Sequence, residues 1–273
     1  MILKRLSLTI LLLLANTLLL GQSGSPAALL EQGFRPLFNG KDFTGWERKV
    51  RNGDDELAKK VFTVGEDGVV HVFRDFPDSF ELDTGNSYTH GMMWAGGTYS
   101  RYIFRFEYKW GHKRLNNFGM FQYDAGCYYH VYNDKIWPFG IEYQVRYNHL
   151  TDENHTGDFW ASSTSFQWYA GEDGRFRLPG EGGHLKSRKK GEHRCKPGVP
   201  FNALNDEWNV CEIIVMGDRY AIHKLNGEIV NLATGLSQKE GRIGLQSETA
   251  EIFYRNIMIK EFEEDVPIEA FLD

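Results

Sequence analysis

The sequence predicts an all-β protein, a single sandwich of two antiparallel β-sheets. Three observations predict it. Apolar residues alternate with polar ones at a period of two rather than 3.6. Aromatic residues make up 14% of the chain and there are 29 glycines, which suits many short strands joined by tight turns. Turn signals recur between strands along the whole chain beyond its leader, the spacing of one sandwich rather than of two domains.

The elements follow in order. Residues 1–5 carry Lys4 and Arg5, residues 6–20 are mostly apolar, and Gly21, Ser23, Gly24 and Ser25 are small. A charged start, an apolar run and a small-residue zone predict a signal peptide over residues 1–25, cut somewhere within 21–28, and hence export to the periplasm or beyond. The apolar run is short of the roughly 20 residues a spanning helix needs, and no second such run follows, so no membrane span is expected after cleavage. Residues 26–33 read as a linker with a short helical turn at 27–32, and 57–61 as another turn.

Residues 102–110 put Tyr102, Phe104, Phe106, Tyr108 and Trp110 on one face and Ile103, Arg105, Glu107 and Lys109 on the other, a half-buried strand. Residues 141–146, 210–215, 220–225, 228–232, 242–246 and 251–260 also read as strands. Asn226-Gly227 predicts a two-residue hairpin, because both turn positions need positive φ. The sandwich is expected over 34–262, with a tail at 263–273. The segment 147–157 reads as a polar loop with His149, Asp152, Glu153 and His155. The segment 180–200 is Gly-rich and basic, with Lys186, Arg188, Lys189, Lys190, Arg194 and Lys196. It reads as a solvated loop, or as a rim that engages an anionic sugar or a partner.

The net charge of −6 gives no general affinity for nucleic acid. Cys127, Cys195 and Cys211 match no zinc spacing. An exported protein can oxidise one pair, but three buried, unpaired thiols are the preferred reading.

Chemistry-bearing residues are densest at 126–160. Glu142, Gln144 and Arg146 share one face of one strand, which looks at solvent or lines a cleft. Tyr128, His130 and Tyr132 could point the same way. A sugar site needs flat apolar surfaces for C–H faces and planar polar groups for hydroxyls. Trp137, Trp160, Tyr128 and Tyr132 could supply the first; Glu142, Gln144, Arg146 and Asp158 the second. The alternative is that the aromatics are core and the polar groups solvated. Glu142 and Asp158 are a candidate acid/base pair, with His130 as another base or a metal ligand. There is no Gly-x-Ser-x-Gly, no His-Glu-x-x-His and no phosphate-binding Gly loop. The Glu-x-Asp-x-Glu strand of laminarinase-type hydrolases is also missing.

An ordered set of motifs then resembles the 3-keto-disaccharide hydrolase family: FRPLFNGKDFTGW at 34–46, YHV at 129–131, WPFGIEYQ at 137–144, GDFW at 157–160, WN at 208–209, LNG at 225–227, GRIGLQ at 241–246 and FYRNI at 253–257. The resemblance runs from Phe34 to Phe262 and implies a concanavalin/laminin-G-like jelly roll. It implies cleavage of 3-keto-glycosides or 3-keto-disaccharides by elimination and hydration, in net a hydrolysis. A ketone at carbon 3 acidifies the hydrogen on carbon 2, so a base, an acid and an enolate stabiliser are needed. Carried over residue by residue, Glu142 is base or acid, with Asp158 and His130 as partners. Gln144 and Arg146 position hydroxyls or the keto oxygen, and Trp137 and Trp160 shape a platform. A divalent metal on His130, Glu142 and Asp158 is a further expectation. This sequence departs from the family at Ser247-Glu248, where a His-Gly pair often follows the Leu-Gln of the late strand. A non-catalytic glycan-binding module and an exported partner-binding domain are the other readings.

Overall fold

A computed structural model describes residues 24–77, 88–115, 118–188 and 191–272. The expected signal peptide lies outside the described residues but for Gly24 and Ser25, as do Lys189 and Lys190. The described residues form helices α1 (Pro26–Glu31) and α2 (Asp55–Val61). The strands are β1 (Arg35–Pro36), β2 (Trp46–Val50), β3 (Phe62–Val64), β4 (Val70–Val72), β5 (Gly91–Ala95), β6 (Arg101–Arg114), β7 (Tyr123–Val131), β8 (Gly140–Asn148) and β9 (Glu153–Asn154). They continue as β10 (Phe159–Ser162), β11 (Phe166–Ala170), β12 (His184–Arg188), β13 (Gly191–His193), β14 (Asn209–Met216), β15 (Tyr220–Leu225), β16 (Glu228–Thr234), β17 (Arg242–Ser247) and β18 (Ala250–Glu261).

One sheet runs β12-β11-β16-β15-β14-β6-β18-β4-β3, with β1 on β18. The other runs β13-β10-β8-β7-β17-β5-β2, with β9 on β8. The fold is an all-β jelly-roll sandwich. Its core follows from side-chain alternation. Tyr102, Phe104, Phe106, Tyr108 and Trp110 of β6 are each at most 3% exposed, as are Ala125, Cys127, Tyr129, Ile141, Tyr143 and Val145 of β7 and β8. Phe106 meets Tyr143 across the layers at 6.0 Å between ring centroids. One polar group is satisfied inside: His223 Nδ1 donates to Gly157 O at 3.0 Å and Nε2 accepts from the Tyr129 hydroxyl at 3.0 Å. The β15–β16 turn has Asn226 at φ 51 and Gly227 at φ 89, the hairpin expected of Asn-Gly.

The expected linker at 26–33 is mostly helix. Ser25 caps α1 by accepting from Ala28 N at 3.3 Å, Pro26 opens it, and Leu29 packs with Phe34 and Met258. The turn expected at 57–61 is α2, capped by Asp54, with acids in its first turn and lysines in its last. The tail docks too: the Tyr220 hydroxyl donates to Val266 O, and Asp265 pairs with Arg101 and Arg219.

The segment 180–200 differs from the solvated loop expected. It carries β12 and β13, one at the edge of each sheet. Charged side chains are common on edge strands, where they discourage further pairing. Arg194 and Lys196 are ion-paired, to Asp158 and Glu153 and to Glu181. Cys127, Cys195 and Cys211 are all buried and unpaired. No described helix is long and apolar enough to cross a membrane.

Candidate active site

The outer face of the second sheet carries the site. In the β7–β8 pair, Tyr128 lies opposite Glu142, Gly126 opposite Gln144 and Asp124 opposite Arg146; in β8–β10, Trp160 lies opposite Glu142. Directly opposed residues share a face. The row Glu142, Gln144, Arg146 is thereby flanked by Asp124 and Tyr128 on one side and Trp160 on the other. Gln246 of β17 and Glu248 just beyond it complete a cleft of about 150 Å³, with Trp137 as a further wall. Glu142, Gln144 and Arg146 are only 4–6% exposed, so they line a recess and are not a solvated face. A Cβ on Gly126 would fall 2.2 Å from Glu142 Oε1 and 2.7 Å from Gln246 Oε1. Glycine is needed there to let both side chains lie over the strand. Gln246 Oε1 is buried with no hydrogen-bond partner among the described residues, an acceptor left for a ligand hydroxyl.

The cleft is crowded with acid. Burial, and next the charge of Asp124, pushes Glu142 up to about 8, while the Tyr128 hydroxyl bonds to it and pulls the other way. Burial raises Asp124 to about 7 against the opposing charge of Arg146. Asp124 accepts from Gln144 Nε2 and lies 3.8 Å from Arg146 Nη1. Glu248 is raised well above the ordinary carboxylate range, by burial first and then by Asp124 and Glu142.

One wall is a stack. The Arg51 guanidinium sits 5.1 Å over Trp137, and Trp137 stacks on His90 at 5.3 Å and 28°. His90 Nδ1 lies 3.9 Å from Glu248 Oε1. Burial and the charge of Arg51 hold His90 down at about 3, a neutral imidazole. Trp137 and Trp160 are half-buried, so each keeps ring surface for a ligand.

Arg146 joins the cleft to a second cluster beside it. Its Nη2 pairs with Glu192 and approaches His155 Nδ1 at 2.7 Å. His155 Nδ1 lies 3.1 Å from Asp158 Oδ2 and 3.4 Å from Glu192 Oε1. One ligand atom each from His155, Asp158 and Glu192 falls within 4.8 Å of the others. One imidazole and two carboxylates suit a divalent ion, so the cluster is a candidate metal site. Arg146 and Arg194 Nε, the latter 3.0 Å from Asp158 Oδ2, already place positive charge against the same carboxylates.

The structure brings Glu142, Gln144, Arg146, Trp137, Trp160 and Tyr128 together and places three expected residues elsewhere. Asp158 is fully buried, accepts from Cys195 N at 2.6 Å and faces His155 and Arg194, not the cleft. His130 has φ 52, which turns its ring away so that Nε2 donates to Gly217 O at 2.9 Å; it joins neither the cleft nor the metal cluster. Tyr132 is 45% exposed and donates to Ser163 O. Asp124, Gln246, Glu248, His90, His155 and Glu192 escape the sequence reading as site residues. The Asp124 parity with Gly126 and Tyr128 on β7 was the available signal. A larger hollow of about 770 Å³ lies by Trp208, but Arg255 covers that ring at 3.9 Å.

Residues 33–260 match the 3-keto-alpha-glucoside-1,2-lyase-like domain. The chain belongs to that family. It is accordingly a domain of the carbohydrate-processing kind. Among solved structures, a proposed glycosyl hydrolase from Parabacteroides distasonis superposes with a TM-score of 0.52 at 22% identity, covering 89% of this chain and 98% of that one. A second such protein from the same organism gives 0.50 at 15% identity, covering 84% and 99%. At these identities the likeness is one of fold. The chain matches no curated protein.

Proposed function

We propose that this cleft cleaves glycosides already oxidised to a ketone at carbon 3, by elimination followed by hydration. The observation that carries the reading is Glu142: a carboxylate buried over Gly126 and among other acids, whose proton affinity is lifted toward neutrality. A base of that strength suits removal of the hydrogen on carbon 2, which the neighbouring ketone acidifies. Arg146, buried and fixed between Asp124 and Glu192, offers fixed positive charge for the enolate oxygen. Gln144 and the unpartnered Gln246 Oε1 orient hydroxyls, and Trp137 and Trp160 cover the C–H faces. The volume of about 150 Å³ suits one sugar ring, with the leaving group outside. A divalent ion held by His155, Asp158 and Glu192 would add positive charge beside Arg146.

The charged and then apolar order of residues 1–25 supports an exported protein, periplasmic or secreted. Glu142→Gln tests the catalytic reading. The variant keeps the fold while turnover of a 3-keto-glycoside is lost; turnover retained in a folded Glu142→Gln protein contradicts it.

A further inference from the structure

Elimination between carbons 1 and 2 moves two protons: one leaves carbon 2, and one must reach the departing oxygen. Glu142 accounts for the first. The cleft holds two further carboxyl groups, and their surroundings differ. Asp124 is engaged by Gln144 Nε2 and by Arg146 Nη1 at 3.8 Å, which commits it to positioning those two side chains. Glu248 stands beyond the end of β17 and lines the same cleft, with 16% of its side chain exposed and Oε1 3.9 Å from His90 Nδ1. The His90–Trp137 stack fixes that wall. Glu142 issues from β8, and β7 lies between β8 and β17. The two carboxyls therefore reach the one cleft from strands two apart, Glu142 lying over the strand between them at Gly126.

We propose that Glu248 is the second proton-transfer group of this cleft, giving its proton to the leaving glycosidic oxygen. This rests on the elimination reading above. The steps balance. Glu142 takes the proton from carbon 2, and the C–H electron pair forms the enolate. The enolate pair then makes the carbon 1–carbon 2 double bond and restores the ketone, while the bond from carbon 1 to oxygen breaks. The departing oxygen takes the proton of Glu248 and leaves as an alcohol. Water then adds to carbon 1, returning one proton to Glu248, and carbon 2 recovers its proton from Glu142. Burial with Asp124 and Glu142 as neighbours raises the proton affinity of Glu248, which keeps it charged with a proton before the step.

The test compares two substrates in one protein sample, a 3-keto-glucoside with an alkyl leaving group and one with a nitrophenyl leaving group, and follows hydrogen–deuterium exchange at carbon 2 by NMR. In Glu248→Gln, alkyl cleavage falls about 10²–10⁴-fold. Nitrophenyl cleavage falls by less than about tenfold, because a nitrophenolate leaves without a proton. Exchange at carbon 2 persists, since Glu142 is intact, whereas Glu142→Gln loses it. Because both substrates are read in the same sample, partial unfolding cancels from their ratio. If Glu248→Gln does not fold, Glu248→Asp, one methylene shorter, shows the same split in smaller measure. Equal losses on both substrates, no loss on either, or loss of exchange in Glu248→Gln overturns the proposal. A wild-type protein that neither exchanges nor cleaves fails the elimination reading, and this proposal with it.

Discussion

A Cβ on Gly126 would stand 2.2 Å from Glu142 Oε1, so the absence of a side chain on β7 sets where the carboxyl of β8 lies. Gly126→Ala is expected to keep the sandwich, since the nearest atoms are the ends of side chains, but to push Glu142 and Gln246 out of place. Circular dichroism and melting should change little, while kcat on a 3-keto-glycoside falls at least about 100-fold, the scale of a misplaced reacting group. Full activity in Gly126→Ala would show that the position of Glu142 does not matter.

The pH dependence has a definite sign. Glu142 must be ionised to take a proton, and burial with Asp124 nearby lifts it to about 8. The base limb of kcat/KM should rise with pH up to about 8 and not level off near 4.5, and Asp124→Asn should move that limb to lower pH. The same group costs stability as pH rises. Below the unfolded value of 4.5 both states hold the proton. Between 4.5 and about 8 the unfolded chain releases it and the fold does not, so this contribution falls through that window. Denaturant titrations of wild type and Glu142→Gln against pH check the difference.

Glu251 works in the opposite sense. Burial raises it, but hydrogen bonds from His71 and from the backbone of His112 and Lys113 outweigh this and take it down to about 2. Its stabilising contribution is full above the unfolded value of 4.5 and is lost as pH falls through about 2. Glu251→Gln should therefore flatten the acid limb of stability between those values. An unchanged acid limb would contradict the assignment.

Trp137→Ala removes a ring that stacks on His90 at 5.3 Å and lines the cleft. A rise of about tenfold in KM, equivalent to about 1.4 kcal/mol, with a smaller change in kcat, is expected for a platform residue. A loss confined to kcat would give Trp137 a different role.

The thiols are protected. Cys127, Cys195 and Cys211 are at most 1% exposed and unpaired, and burial raises the pKa of each. A thiol reagent should label none in the native protein and three in denaturant. Two labels fewer in denaturant would reveal a disulfide.

The fold was legible because alternation is a local property. Tyr102 to Trp110 announce a buried face, and Asn226-Gly227 announces its hairpin. The Glu142, Gln144, Arg146 row was legible for the same reason. Asp124 had a parity signal on β7, but Gln246 and Glu248 arrive through the non-local pairing of β17 with β7, which no spacing encodes. Parity also misleads where the backbone departs from extended geometry. The φ of 52 at His130 breaks the Tyr128–His130–Tyr132 row. At Asp158, Gly157 with φ 98 precedes β10, and the side chain turns to Arg194 and Cys195. The basic run at 180–200 hid two edge strands because charge on an edge resembles charge in a loop.

The most direct measurement incubates purified protein with 3-keto-disaccharides and the matching unoxidised sugars, with and without chelator, and identifies products by mass spectrometry. Cleavage of the keto sugars alone is predicted, and a chelator effect would assign the His155, Asp158, Glu192 cluster to a metal. Equal cleavage of both sugar sets, or binding of the keto sugars without product, would contradict the account.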